Sequence, residues 1–188
     1  MTAGARVGFD SARFRSVLGH FCTGVTVITG HDGERPAGFA CQSFAALSLD
    51  PPLVLFCPAK TSRSWPAIER AGRFAVNVLA EDQREVSAVF GARGADKFEA
   101  VGWRPAASGA PLLDGSLAWM DCVVDAVHEA GDHLVVVGRV TELGDTRDTR
   151  PLLFYRGAYT AAEDTTANGQ IREDLDGMLT WPRPDDWF

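Results

Sequence analysis

Apolar positions change period several times along the chain, and each change marks a new element. Phe14, Val17, Leu18 and Phe21 recur at helical spacing, predicting an amphipathic helix over 9–21 capped by Asp10 or Ser11. The β-branched run 25–29 then reads as a strand, and 37–44 returns after a polar turn as its hairpin partner. Asp50-Pro51-Pro52 breaks the pattern, because proline donates no backbone hydrogen bond. Residues 53–57 are apolar on both faces and predict a central strand. A polar loop, 58–64, precedes a short helix over 65–71 with Ser64 as cap, Pro66 in its first turn and Gly72 at its end. A strand over 74–79 and a helix over 81–90 follow.

Residues 91–115 hold five Gly and two Pro, which predicts an irregular connection. The segments 117–128 and 133–143 flank a Gly131-Asp132 turn and predict an antiparallel hairpin. In the first of them, Ala118, Met120, Cys122, Val124 and Ala126 share one face, with Asp121 and Asp125 on the other. A short strand over 151–155 comes last. The expected domain is 1–160, with 161–188 a polar tail ending in Trp181 to Phe188 that packs on a neighbour or on the body. Strands do not alternate regularly with helices, so a closed antiparallel barrel with peripheral helices is expected rather than a doubly wound sheet.

Composition narrows the function. The 188 residues are 46% apolar and 23% charged, which excludes a disordered chain or a coiled coil. A net charge of −7 argues against a nucleic-acid partner, which needs a basic face. No apolar run is long enough to span a bilayer, and the first residues lack the apolar core of an export signal, so the expected location is the cytoplasm, with no membrane partner. Cys22, Cys41, Cys57 and Cys122 form no CxxC pair and lie in apolar stretches, so buried small apolar side chains are expected and no metal site.

Phosphate-loop, Rossmann and zinc-protease signatures are absent. Four local features remain. Lys60-Thr-Ser-Arg-Ser64, between a buried strand and a helix, offers hydroxyls and cations for a phosphate, or is a solvated loop with a capping serine. Gly38 to Phe44 is rich in small residues, as a flat ligand lying against a strand requires, or is an ordinary hairpin strand. His133 opens a strand beside a turn, at the rim of a barrel or merely on the surface. Arg156 ends the last strand, where it could meet a phosphate or a carboxylate or simply face water.

These blocks, taken together and in order, resemble the short-chain flavin reductases. The resemblance rests on the runs 14–29 and 38–54, Lys60 to Ser64, Phe74 to Leu79, Gly131-Asp-His133 and Pro151 to Gly157, and covers about residues 10–160. Gly38-Phe-Ala-Cys-Gln-Ser-Phe44, Leu55-Phe-Cys-Pro58 and Leu152-Leu-Phe-Tyr-Arg-Gly157 are most similar to the reductases of actinobacterial steroid degradation, which serve a secosteroid phenol hydroxylase.

The resemblance implies a mainly β fold, the FMN-binding split barrel, an antiparallel Greek-key barrel that works as a homodimer. It implies NADH as donor and an exchangeable FMN or FAD as acceptor, with the reduced flavin released to a separate oxygenase. Phe39, Ala40, Cys41, Gln42, Ser43, Ser48 and Leu49 would line the flavin ring and ribityl chain. Cys57, Pro58, Ala59, Lys60, Ser62 and Ser64 would hold its phosphate, with Lys60 the main charge. Phe90, Gly91, Lys97 and Phe98 would be outer contacts; His133 (the catalytic candidate), Tyr155 and Arg156 would flank the nicotinamide. A flavin- or haem-binding carrier or sensor without turnover is the alternative from another class.

Overall fold

The computed structural model describes residues 8, 10–94 and 97–162. Helix α1 spans Ser11–Leu18, and the Asp10 carboxylate caps it by accepting from the Ala12 N–H at 3.1 Å. Its apolar spacing is as expected, yet no residue of α1 is buried, and Phe21 just beyond it is 76% exposed. The strands β1 (Thr23–Gly24), β2 (Thr26–His31) and β3 (Pro36–Cys41) follow. The strand expected to run to residue 44 stops at Cys41, and the chain restarts as β4 (Ala45–Leu49) before the Asp50-Pro51 break and β5 (Pro52–Phe56).

Helix α2 (Trp65–Ala71) carries Pro66 in its first turn and ends at Gly72, whose φ of +65° suits the left-handed cap that glycine adopts cheaply. The cap at its other end differs from expectation. Ser62 Oγ accepts from the Trp65 N–H at 3.2 Å, while Ser64 Oγ donates to the Gly38 carbonyl at 2.8 Å. Strand β6 (Arg73–Val78) is followed by α3 (Arg84–Gly91), three residues shorter at its start than expected. The Gly- and Pro-rich stretch contains a small hairpin, β7 (Trp103–Pro105) with β8 (Pro111–Leu113).

The hairpin of β9 (Ala118–Ala130) and β10 (His133–Leu143) is the longest pairing in the fold. Its alternation is broken by irregularities at Val137/Gly138 and Val140/Glu142. Asp121 therefore does not share an open face with Asp125: it is 1% exposed. Its carboxylate accepts from the Ser108 N–H at 3.0 Å and the Ser108 hydroxyl at 2.6 Å, which satisfies a charge that burial would otherwise penalise. The last strands are β11 (Leu152–Tyr155) and β12 (Ala158–Ala161). Strand β12 crosses the boundary expected at 160, and the remainder of the tail, with Trp181 and Trp187, lies outside the described residues.

Seven strands form one antiparallel sheet in the order β3-β2-β6-β9-β10-β5-β4, and β1-β11-β12 form a second small sheet. The order makes a split barrel. Ser43, just after β3, draws the far ends together: its Oγ accepts from the Cys57 N–H at 2.9 Å, just after β5. Inside, Ile28, Phe56, Trp65, Ile68, Phe74 and Val136 form one core, and Val27, Leu79, Phe90 and Leu152 form another under α3. Phe56 meets Phe74 and Trp65 edge-on at 5.0 and 5.8 Å, a favoured aromatic arrangement. Of the cysteines, Cys41 and Cys122 are buried as expected and Cys57 partly so; Cys22 is exposed, because the chain leaves α1 along the surface there.

Candidate active site

A cavity of about 560 Å³ opens beside the β3–β5 seam. Volumes of ~300–1,000 Å³ are usual for small-molecule sites. Phe39, Ala40, Cys41, Gln42 and Ser43 line one wall. A second is Cys57, Pro58, Ala59 and Ser62, with His133 at the rim. These segments are separate in sequence and are tied together by backbone bonds. The Lys60 N–H donates to the Asp132 carbonyl and the Leu134 N–H to the Pro58 carbonyl, both at 2.9 Å. The start of β10 thus fixes the loop after β5. Gly91 at the end of α3 completes the set of expected residues that line the cavity.

The opposite wall was not legible beforehand. Val25, Ser87, Phe154 and Tyr159 line it, brought in by the segment before β2, by α3 and by the β11–β12 hairpin. The Ser87 and Tyr159 hydroxyls lie 2.9 Å apart. Phe154 meets the Tyr159 ring edge-on at 5.4 Å.

The remaining expected residues do not line this cavity. Lys60 stands beside it, its Nζ donating to the Glu129 carboxylate at 3.0 Å. Ser64 is spent on the Gly38 carbonyl. Phe90 is 1% exposed and packs edge-on against Phe98 at 5.1 Å. Lys97 donates to the Phe90 carbonyl at 2.9 Å and the Gly38 carbonyl at 3.4 Å, bracing α3 against β3, and its partial burial lowers the ammonium pKa. Ser48 and Leu49 lie on the edge strand β4, where Leu49 is 63% exposed. Tyr155 and Arg156 sit at the tip of the β11–β12 hairpin. Arg156 takes a left-handed φ of +50° there and Gly157 one of +82°, the pairing that a two-residue hairpin turn requires. The Arg156 N–H donates to the Gly19 carbonyl at 2.9 Å, which ties the tip to the end of α1.

Charge at the rim is arranged in pairs. His133 Nδ1 donates to the Asp132 carboxylate at 2.8 Å, and that contact holds the carboxyl pKa below its usual range. The imidazole is thereby oriented, with Nε2 its remaining polar atom. Deeper in, burial pushes the Cys41 thiol pKa up, which keeps it protonated.

Small residues (Ala40, Cys41, Ser43, Ala59 and Ser62) and the aromatic residues Phe39, Phe154 and Tyr159 line the cavity together, with the polar side chains of Gln42, Ser43 and His133 among them. That donor set fits a flat heteroaromatic ring with a polar edge. A sequence profile of the flavin reductase like domain matches residues 18–163. The chain belongs to the flavin reductase family. Its class of reaction is the reduction of a flavin by a nicotinamide nucleotide.

Relatives agree over nearly the whole chain. The reductase subunit HsaB of a flavin-dependent monooxygenase from Rhodococcus jostii is 57% identical over 185 residues, covering 98% of this chain and 95% of its own. The crystal structure of nitrilotriacetate monooxygenase component B from Mycobacterium thermoresistibile superposes with a TM-score of 0.79 at 62% identity, covering 82% of this chain and 87% of that one. The NADH:FAD oxidoreductase SgcE6 of Streptomyces globisporus, in complex with NAD and FAD fragments, also gives 0.79, at 35% identity, covering 82% and 94%. Membership accounts for the split barrel and agrees with the absence of a Rossmann glycine loop. Among the described residues no helix is long and apolar enough to cross a membrane.

Proposed function

We propose that the protein is the NADH-dependent reductase component of a two-component flavin monooxygenase, reducing FMN or FAD and releasing it to a separate oxygenase. The cavity carries this reading: it gathers the backbone of 39–43 and 57–59 with an oriented histidine at the rim. The bound flavin supplies the hydride acceptor. The protein's part is to hold donor and acceptor together, which removes most of the entropic cost of a bimolecular step. Backbone N–H groups of the β3 and β5 exits serve the polar edge of the ring and the negative charge that grows there. His133 orients the nicotinamide through its free nitrogen, and no general base is needed for a hydride.

Ready exchange of the flavin is supported by the electrostatics. Lys60 is the cation beside the cavity, and it is already shared with Glu129. Homodimerisation is supported by apolar surface on α1 and β4, where Val17, Leu18, Leu47 and Leu49 are 46–63% exposed. In the same reading, residues 1–160 form the catalytic unit, with 161–188 an appendage. A cytoplasmic location is supported by reliance on an intracellular nucleotide. The resemblance of the runs 38–44, 55–58 and 152–157 to the reductases of steroid degradation supports a secosteroid phenol as the partner's substrate.

The test is NADH oxidation by the purified protein, with FMN and FAD added separately and NADPH as control. Turnover that depends on added flavin is expected. Tight flavin binding with no oxidation of either nucleotide would overturn the reductase reading in favour of a carrier.

A further inference from the structure

The Ser87–Tyr159 pair has no part in the mechanism above, yet both residues line the cavity beside Val25 and Phe154. Ser87 is 3% exposed, on the inner face of α3. Tyr159 reaches it from β12, 72 residues later, and their hydroxyls meet at 2.9 Å. Apolar Val25 and Phe154 line the cavity with the pair. A hydroxyl pair needs one hydrogen bond to satisfy itself. Two hydroxyls bonded to each other still keep one proton to donate and several lone pairs to accept with. A ligand that fills the cavity and displaces water from that surplus must supply a partner for it or incur the cost of leaving it unpaired.

We propose that Ser87 and Tyr159 act together as the ligand-orienting hydrogen-bond site of this wall, binding the polar portion of the flavin that faces the seam from the side opposite His133. The inference rests on the flavin reading. It adds a specificity element built from two distant parts of the chain. Because the pair can both donate and accept, it matches either the carbonyl and imide edge of the ring or the hydroxyls of the ribityl chain. Neither residue needs a charge, so the contribution is independent of the phosphate and of Lys60.

The experiment is titration of the full chain with lumiflavin, riboflavin and FMN, followed by flavin fluorescence, for the wild type, Tyr159→Phe and Ser87→Ala. Thermal unfolding without ligand is measured on each. Tyr159→Phe keeps the ring against Phe154 and removes only the hydroxyl. The expected result is flavin binding about tenfold weaker in each variant, the factor carried by one hydrogen bond of ordinary strength. The Lys60→Ala variant, by contrast, should discriminate only against FMN. A loss already present with lumiflavin assigns the ring edge, and a loss that begins with riboflavin assigns the ribityl chain; both support the proposal. Unchanged binding of all three flavins, with or without a lower melting temperature, overturns it and leaves the pair a structural tie between α3 and β12. Should the wild type itself fail to bind flavin, the underlying flavin reading falls instead. The two failures are therefore distinct.

Discussion

Lys60 Nζ lies 3.0 Å from the Glu129 carboxylate, so the cation that a flavin phosphate would use already has an internal competitor. An ion pair with both members partly exposed is worth ~0–1 kcal/mol, little enough for a doubly charged phosphate to displace. Lys60→Ala should weaken FMN binding about tenfold and riboflavin binding by less than about twofold, read by fluorescence titration. Glu129→Gln should tighten FMN binding a few-fold by freeing the ammonium. If Glu129→Gln instead weakens FMN, the carboxylate is positioning Lys60 rather than competing for it.

His133 Nδ1 is bonded to Asp132, and in the proposed reading its Nε2 meets the nicotinamide, so its loss should appear in binding. His133→Ala should raise KM for NADH roughly tenfold and leave kcat within about threefold, the signature of lost uniform binding. Loss of turnover at saturating NADH with KM unchanged would show that the imidazole acts in the hydride step itself.

Asp32 gives a pH-dependent contribution to stability. Its carboxylate accepts from the Glu34 and Arg35 N–H groups at 3.2 Å and from the Arg70 guanidinium at 2.9 Å, contacts that lower its pKa from 3.8 to about 2. A depressed carboxyl pKa stabilises the fold above the unfolded value, and that stabilisation is lost as pH falls through the folded value. Asp32→Asn should therefore melt below the wild type at neutral pH. The gap should narrow from pH about 4 downward and close near pH 2. A gap independent of pH would rule out the ionised carboxylate as the source.

Thiol reactivity should rank by environment. Cys122 is fully buried beside Asp121, and desolvation with that neighbouring charge pushes its pKa up to about 12. The thiolate is the reactive form, so Cys122 and Cys41 should resist alkylation in the native state. Cys22, exposed, should react first, and Cys57 more slowly and more slowly still with FMN present. Peptide mapping after a short iodoacetamide pulse reads the order. Rapid labelling of Cys122 would mean that the β6–β9 region opens far more than its packing allows.

Local signals in the chain carried most of the barrel. Alternation across 117–143 announced the β9–β10 hairpin, and Pro66 with Gly72 bracketed α2 almost to the residue. What escaped was set by partners far along the chain. Strand β4 carries no alternation because its residues lie at a sheet edge, and Asp121 looks like an ordinary polar strand residue until Ser108 closes over it. The walls formed by 39–43 and 57–62 drew notice as a small-residue strand and as a loop of hydroxyls and cations before a helix, and the resemblance to the flavin reductases singled out their residues. The third wall was not legible, since Ser87 reads as one more polar helix position and Tyr159 lies beyond the last strand expected, 151–155. A buried Ser87 three residues before the buried Phe90, on one helical face, was the available hint. Arg156 was drawn towards the site by its charge, but the Arg156-Gly157 dipeptide belongs to a tight turn that carries it to the hairpin tip.

Neighbouring long strands of this barrel are stitched by runs of backbone bonds, as in the 26–31 to 36–41 ladder of β2 and β3. Between the exits of β3 and β5 side-chain bonds take over: the Ser43 hydroxyl meets the backbone of Cys57, accepting at 2.9 Å and donating at 3.3 Å, and the Ser64 hydroxyl donates to the Gly38 carbonyl at 2.8 Å. The cavity lies along that join. Parting a ladder breaks many backbone bonds at once, whereas this join rests on side-chain bonds. A binding site set along such a join, rather than beneath a backbone ladder, is the arrangement that a flavin released after each turnover would use on its way in and out.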